Sequence, residues 1–328
     1  MTRFEEHFVS DLSDFKMVVA DVDKAIAALD AELLKYNPDQ PRDRRGRFAS
    51  GLGIGGSITP NTSVGLRVGK GDITLAPNDL QALKEGSAGV YMTGSTPDGQ
   101  PIFTAERQAL HDQIVAEATD GVNSTLNPTY YMLGGGPAAG KTTMLNSGEA
   151  DVPGAADAVQ INADDIKAKL PEYGPMIAAG NKEAAGYVHE ESSYLAKRIQ
   201  AASVETSRNI VLDGTGDSGV DSLAKKVGSA AKNGYRTVAL YATVPTQVAI
   251  DRMIKRGMKT GRFVNKDVVT TTHENVSRVF PAAVNMFDEI KLFDTTEGVK
   301  LLATGTKGQL NILDAAGYSA FLAKGEGK

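Results

Sequence analysis

The chain has 328 residues, 41% hydrophobic and 23% charged, an ordinary globular composition that excludes a wholly disordered or fibrous protein. With 35 Lys and Arg against 40 Asp and Glu, the net charge of -5 gives no general attraction to nucleic acid or to an anionic membrane. Zero Cys excludes disulfides, thiolate metal sites and thiol nucleophiles.

The first residues, MTRFEEHFVSDLSDF, are acidic and amphipathic, and lack the basic and apolar regions of a secretory signal. No run reaches the roughly 18 apolar residues of a membrane span. From Phe8 onward, apolar residues recur at alternating spacings of four and three through Leu12, Phe15, Val19, Val22, Ile26, Leu29 and Leu33. This predicts an amphipathic helix over 1–36 that packs on another helix and ends before Asn37-Pro38. Residues 37–103 read as a Gly/Pro-rich flexible linker followed by a mixed region. Within it Arg42, Arg44, Arg45 and Arg47 precede Phe48, and both a phosphate contact and a solvated linker fit that cluster.

Residues 104–328 read as one α/β domain. A helix is expected over 104–118, and strands over 130–133, 159–162, 209–212, 237–242 and 290–293. Helices between them start near Lys141, Asn181, Val220, Thr246 and Lys266, and a small hairpin over 299–313 is closed by a helix over 315–322. This alternation predicts a central parallel sheet flanked by helices.

The segment YYMLGGGPAAGKTT carries the spacing GxxxxGK[ST] directly after an apolar strand and before a helix. Gly135, Gly136, Pro137, Ala138, Ala139 and Gly140 form a phosphate-binding loop whose amides face one cavity, with Lys141 reaching the β- and γ-phosphates. The Thr142 hydroxyl, with Thr143 beside it, is the expected Mg²⁺ ligand of a bound nucleoside triphosphate. Ligands of such folds lie beyond the carboxyl ends of the strands. Asp164 and Asp165 follow one strand, and Asp213, Gly214 and Thr215 end another. A carboxylate placed there accepts a hydroxyl proton or organises a metal, and helix capping is the alternative for one of the Asp164/Asp165 pair. Arg252, Arg256 and Arg262 surround a glycine-flanked loop suited to a cationic lid. His189, beside Glu190 and Glu191, reads as part of a solvated helix face, and His273 has no metal-ligand spacing, so neither histidine is assigned a role.

GGGPAAGKTT, INADDIKAKLPEY, HEESSYLAKRIQ and NIVLDGTG, with the 252–262 stretch, together resemble the zeta-toxin family of P-loop kinases over about 107–322. The resemblance implies a P-loop NTPase kinase fold. It also implies ATP- and Mg²⁺-dependent phosphorylation of the 3′-hydroxyl of UDP-N-acetylglucosamine, in the cytoplasm of a bacterial host, and an antitoxin partner. Carried over by position, it implies Lys141 and Thr142 for phosphate and magnesium, beside which Asp213, by its place at a strand end, is the second metal candidate. Asp164 becomes the catalytic base, Asp213 and Thr215 line the substrate site, and Arg256 and Arg262 contact the γ-phosphate. Three positions depart from the pattern. Asp213 stands for a glutamate, Asp217 for an arginine, and Lys197 falls near the substrate-site glutamate, for which Glu191 is a candidate replacement. Aspartate near a diphosphate repels it, so a different hydroxyl acceptor or a polynucleotide end is the alternative. The arm and its QPRDRRGRF linker resemble segments of phage head-associated proteins, which raises a phage or prophage origin and a virion-associated role with a phage head component as partner. A fold-back of residues 1–36 over the nucleotide site is a further alternative.

Overall fold

The computed structural model describes residues 71–327 apart from 182 and 261–263. The chain divides into two units, Met1–Gly65 and Leu66–Lys328, and every described residue lies in the second. The expected helix over 1–36, the arginine cluster at 42–47 and Arg262 lie outside the described residues.

The described part opens with α1 (Pro77–Glu85), a 3-10 turn (Ser87–Tyr91), and the strands β1 (Met92–Ser95) and β2 (Pro101–Phe103), which pair antiparallel. These residues were expected to belong to the linker and mixed region. The boundary at 104 instead falls inside the second unit, because Leu75, Leu83, Ala88 and Phe103 are buried in the same core as Ile114, Tyr194 and Leu195. Next come α2 (Ala105–Thr119), β3 (Thr129–Gly134), α3 (Lys141–Asn146), β4 (Val159–Asn162), α4 (Ala163–Lys167), α5 (Tyr173–Ala178), α6 (Ala184–Tyr187) and α7 (His189–Glu205). They are followed by β5 (Ile210–Asp213), α8 (Val220–Lys232), β6 (Arg236–Thr243), α9 (Thr246–Thr260), α10 (Lys266–Ala283) and β7 (Glu289–Asp294). The hairpin β8 (Lys300–Thr306) and β9 (Gln309–Ile312) and then α11 (Ala315–Gly325) complete the order. The long helix expected from near Asn181 begins at His189; short α6 and the break at Val188 precede it.

Seven strands form one sheet in the order β4-β5-β3-β6-β7-β8-β9. The first five run parallel, and the hairpin adds two antiparallel strands at one edge. Both faces are covered, so the central strands are apolar almost throughout rather than alternating with polar residues. The alternation appears instead as a division between two cores. Tyr130, Met132, Ala239 and Tyr241 enter one with α2, α7, α10 and α11, while Tyr131, Leu133, Val238, Leu240 and Ala242 enter the other with Met144 of α3. From β3 the chain crosses toward β4 on one side and later reaches β6 on the other, so the carboxyl end of β3 lies at the switch point where such sheets bind ligands. No helix among the described residues is long and apolar enough to cross a membrane.

The first elements are fastened by a buried polar cluster centred on Glu191 of α7, which is fully buried. Its carboxylate accepts hydrogen bonds from Arg107 Nε at 2.6 Å, Arg107 Nη2 at 2.7 Å, Ser87 Oγ at 2.5 Å and His111 Nε2 at 2.7 Å. Arg107 also holds Glu172 through two bonds of 2.9 and 3.0 Å, and the Tyr91 hydroxyl donates to Glu172 at 2.8 Å. Burial pushes the Glu191 pKa up, but the donors from His111, Arg107 and Ser87 outweigh it and hold the carboxyl at about 2.

Candidate active site

The loop after β3 is pressed between neighbours on several sides. Gly135 N–H donates to the Thr215 carbonyl at 2.8 Å, which zips the loop to the segment after β5. The Gly135 carbonyl accepts from Lys141 Nζ at 3.1 Å, the Gly136 carbonyl from Ala139 N–H at 3.1 Å, and the Ala139 carbonyl from Thr295 Oγ1 at 2.6 Å. His273 Nε2 lies 3.0 Å from the Pro137 carbonyl. Since a carbonyl only accepts, this imidazole nitrogen donates. The structure has no cis peptide among the described residues, and in a trans peptide the N–H points opposite the preceding carbonyl. With the Pro137 and Ala139 carbonyls turned toward His273 and Thr295, the amides of Ala138 and Gly140 face the other way, an arrangement of donors suited to an anion. Gly140 has φ 83° and its place is closed to a side chain by Thr295, so both conformation and space require glycine. Ala138 has φ 58° without being glycine, a left-handed conformation that costs roughly 1–2 kcal/mol.

Lys141 and Thr142 open α3, and Thr142 is exposed. Lys141 Nζ lies 3.6 Å from Asp213 Oδ1, and Asn162 Nδ2 donates to Asp213 Oδ2 at 3.1 Å. Burial raises the Asp213 pKa, Lys141 opposes that rise, and the carboxylates of Asp164 and Asp165 add to it. This carboxylate therefore gains from any further cation. Asp213 with the Thr142 hydroxyl is a donor set that suits Mg²⁺, which takes few protein oxygens and fills its shell with phosphate and water. No group of three or more His, Cys, Asp or Glu that could hold a metal ion occurs among the described residues.

Asp164 does not cap α4. Asn162 does, accepting from Asp164 N–H at 2.9 Å, and this leaves the Asp164 carboxylate on the first turn with Lys167 Nζ at 3.1 Å. The Asp164 side chain is 55% exposed. Thr215 is tied to the phosphate loop by its carbonyl, and its hydroxyl donates to Asp217.

Residues 135–143, Asp164, Asp213 and Thr215 therefore gather at the carboxyl ends of β3, β4 and β5. Glu191 is not among them. The expectation that it lines a substrate site, or that its helix face is solvated, is corrected by its full burial and by the donors that occupy both oxygens. Arg252 is also reassigned: its guanidinium donates to the carbonyls of Thr295 at 2.7 Å and Thr296 at 3.0 Å, so it braces the turn that holds the loop. Arg256, one turn further along α9, is exposed. Sequence reasoning misses His273, although it occupies a position in the buried stripe of α10 with Val269, Val276 and Phe280. A histidine on an apolar helix stripe is the available signal. Burial, reinforced by the nearby charges of Lys324 and Lys141, pushes its pKa down to about 4, so the imidazole is neutral at pH 7.

Sheet order, phosphate loop and the strand-end carboxylates define a P-loop kinase-like fold. The sequence profile of the zeta toxin family matches residues 112–307, and the chain belongs to that family. Toxin zeta of Streptococcus pyogenes is 24% identical over 208 residues, 60% of this chain and 69% of that protein. Toxin zeta of Enterococcus hirae is 23% identical over 201 residues, 57% of this chain and 68% of that protein. Among solved structures, the AvrRxo1-ORF1:AvrRxo1-ORF2 complex with ATP superposes with a TM-score of 0.56 at 19% identity, covering 73% of this chain and 82% of that one, a likeness of fold.

Proposed function

We propose that this chain is an ATP-dependent kinase that transfers the γ-phosphoryl group to a hydroxyl, with the 3′-hydroxyl of UDP-N-acetylglucosamine as acceptor. The observation that carries this reading is the preformed loop with Lys141 and Asp213 in contact at its mouth and the exposed Asp164 carboxylate on the neighbouring strand end. The loop amides and Lys141 hold the β- and γ-phosphates. Asp164 accepts the acceptor's hydroxyl proton as the oxygen–phosphorus bond forms and the bond from γ-phosphorus to the bridging oxygen breaks, leaving ADP. Arg256, together with Arg262, supplies lid cations for the charge on the transferred group. Thr142 and Asp213 are the residues to hold Mg²⁺, which supplies neutralisation of phosphate charge when bound. ATP in the solved complex of like fold supports the nucleotide. The relatives' name, Toxin zeta, supports a toxin-like action for this kinase; a bacterial cytoplasm and a restraining antitoxin are part of the same proposal.

A second reading, a different hydroxyl acceptor, is favoured by Asp217, whose carboxylate takes the Thr215 hydrogen bond at the acceptor edge and repels a diphosphate placed there. Acceptor-dependent ATP turnover separates the two. The expected result is turnover stimulated by UDP-N-acetylglucosamine in the wild type and lost in Asp164→Ala. Stimulation only by other sugars, nucleosides or polynucleotide ends selects the second reading. Equal stimulation in wild type and Asp164→Ala removes Asp164 from the base role.

A further inference from the structure

His273 stands outside every role assigned so far, yet it is 2% exposed and touches the loop at Pro137, the residue before the left-handed Ala138. Its ring occupies the space beside Gly136, where a Cβ would come within 2.5 Å of Nε2. The loop backbone is therefore seated directly on the imidazole. The carbonyl it holds belongs to the peptide joining Pro137 to Ala138, and Ala138 is the loop residue with φ 58°. Turning that peptide over would return Ala138 to a negative φ, which L-residues prefer, and would aim its N–H away from the loop concavity. Something must oppose that relaxation, and the hydrogen bond from His273 is placed to do so. Neutrality suits this role. Burial, with smaller contributions from Lys324 and Lys141, disfavours a charged ring, so the imidazole holds the carbonyl as the neutral Nε2–H form.

We propose that His273 is a positioning residue that locks the Pro137–Ala138 peptide in the orientation presenting the Ala138 N–H to a bound nucleotide phosphate. This deepens the nucleotide-binding reading and rests on it. The test is calorimetric titration of ADP with Mg²⁺ into the full chain as wild type, His273→Leu, His273→Gln and the double variant His273→Leu/Ala138→Gly. His273→Leu is expected to weaken ADP binding up to about tenfold, the worth of one hydrogen bond. His273→Gln, which keeps a donor at the same reach, is expected to stay within about threefold of wild type. Glycine at 138 removes the left-handed strain, so the double variant regains most of the loss, which a merely structural role for His273 would not produce. Leu binding as tightly as wild type, Gln as weak as Leu, or no recovery in the double variant each overturns the proposal. Should His273→Leu fail to fold, ¹⁵N-histidine NMR of the wild type gives the same answer. With 4 His in the chain, the His273→Gln spectrum assigns the signal by its absence. A neutral Nε2–H resonance that moves on adding ADP supports the lock, and an Nδ1–H tautomer or a resonance insensitive to ADP contradicts it. Wild type that binds no ADP defeats the nucleotide reading together with this one, whereas binding that ignores His273 defeats this one alone.

Discussion

The donor side and the acceptor side of the site are built on opposite plans. Around the phosphate loop, the carbonyls of Gly135, Gly136, Pro137 and Ala139 each have a partner inside the protein, and the backbone directions follow before any ligand arrives. On the acceptor side, Asp164 is 55% exposed and approached by Lys167, while Thr215 and Asp217 satisfy each other. Preorganised donors stabilise transferred charge without reorganising at the moment of reaction, so the rigid half suits the part of the chemistry that does not vary. On the proposed kinase reading, the open half is where acceptor choice can change without disturbing phosphate recognition.

On that contrast, substitutions on the two sides separate in kinetics. Lys141→Ala is expected to lower phosphoryl transfer about 10³-fold and to weaken ATP binding as well. Asp164→Ala is expected to cost about 10²-fold or more in acceptor-dependent turnover while ATP affinity changes less than about twofold. Steady-state kinetics paired with ATP titration checks both, and a matched loss of ATP affinity in Asp164→Ala would dissolve the distinction. Away from both halves, Glu191→Ala leaves Arg107 with only Glu172 and strips His111 of its partner. Removing one member of a buried pair costs about 3 kcal/mol or more. Denaturant unfolding should show that loss, with unchanged ATP affinity in the folded fraction.

Acid sensitivity supplies a finer separation. His273 is held down to about 4, so the folded state keeps it neutral while the unfolded chain takes up a proton below roughly 6.5. Its share of stability is complete above that unfolded value and is lost as pH falls toward 4, amounting to roughly 3 kcal/mol at most. Glu191, held at about 2, gives its share above its ordinary carboxylate range and loses it as pH falls toward 2. His273→Gln should therefore flatten the upper window of a stability-against-pH curve and leave the lower one in place. The smallest effect is expected from Asn162→Ala, which removes the α4 cap and a donor to Asp213. About 1 kcal/mol of stability should go, with a few-fold rise in acceptor KM and no change in ATP affinity.

What can be read from the sequence follows the range of the interactions involved. The phosphate loop is legible because its glycine and lysine spacing is set by adjacent residues, and the parallel strands because burial on both faces leaves continuous apolar runs such as 130–133 and 237–242. Asp213 is legible by position, as a carboxylate at the end of an apolar strand. His273 is not, because its partner Pro137 is 136 residues away and nothing in local spacing links the two. Glu191 misleads for the same reason: Arg107, 84 residues earlier, converts an apparent helix-surface carboxylate into a buried anchor. The mixed stretch before 104 carries no long periodic run, yet Leu75, Leu83, Ala88 and Phe103 from it pack directly into the core.

The proposed chemistry depends on the loop gripping nucleoside triphosphate. Calorimetric titration of ATP with Mg²⁺ into the full-length wild type and Lys141→Ala tests this most directly. Saturable one-to-one binding to the wild type is predicted, weakened at least about tenfold by Lys141→Ala. No heat of binding at about millimolar ATP, or equal binding by the two proteins, would contradict it.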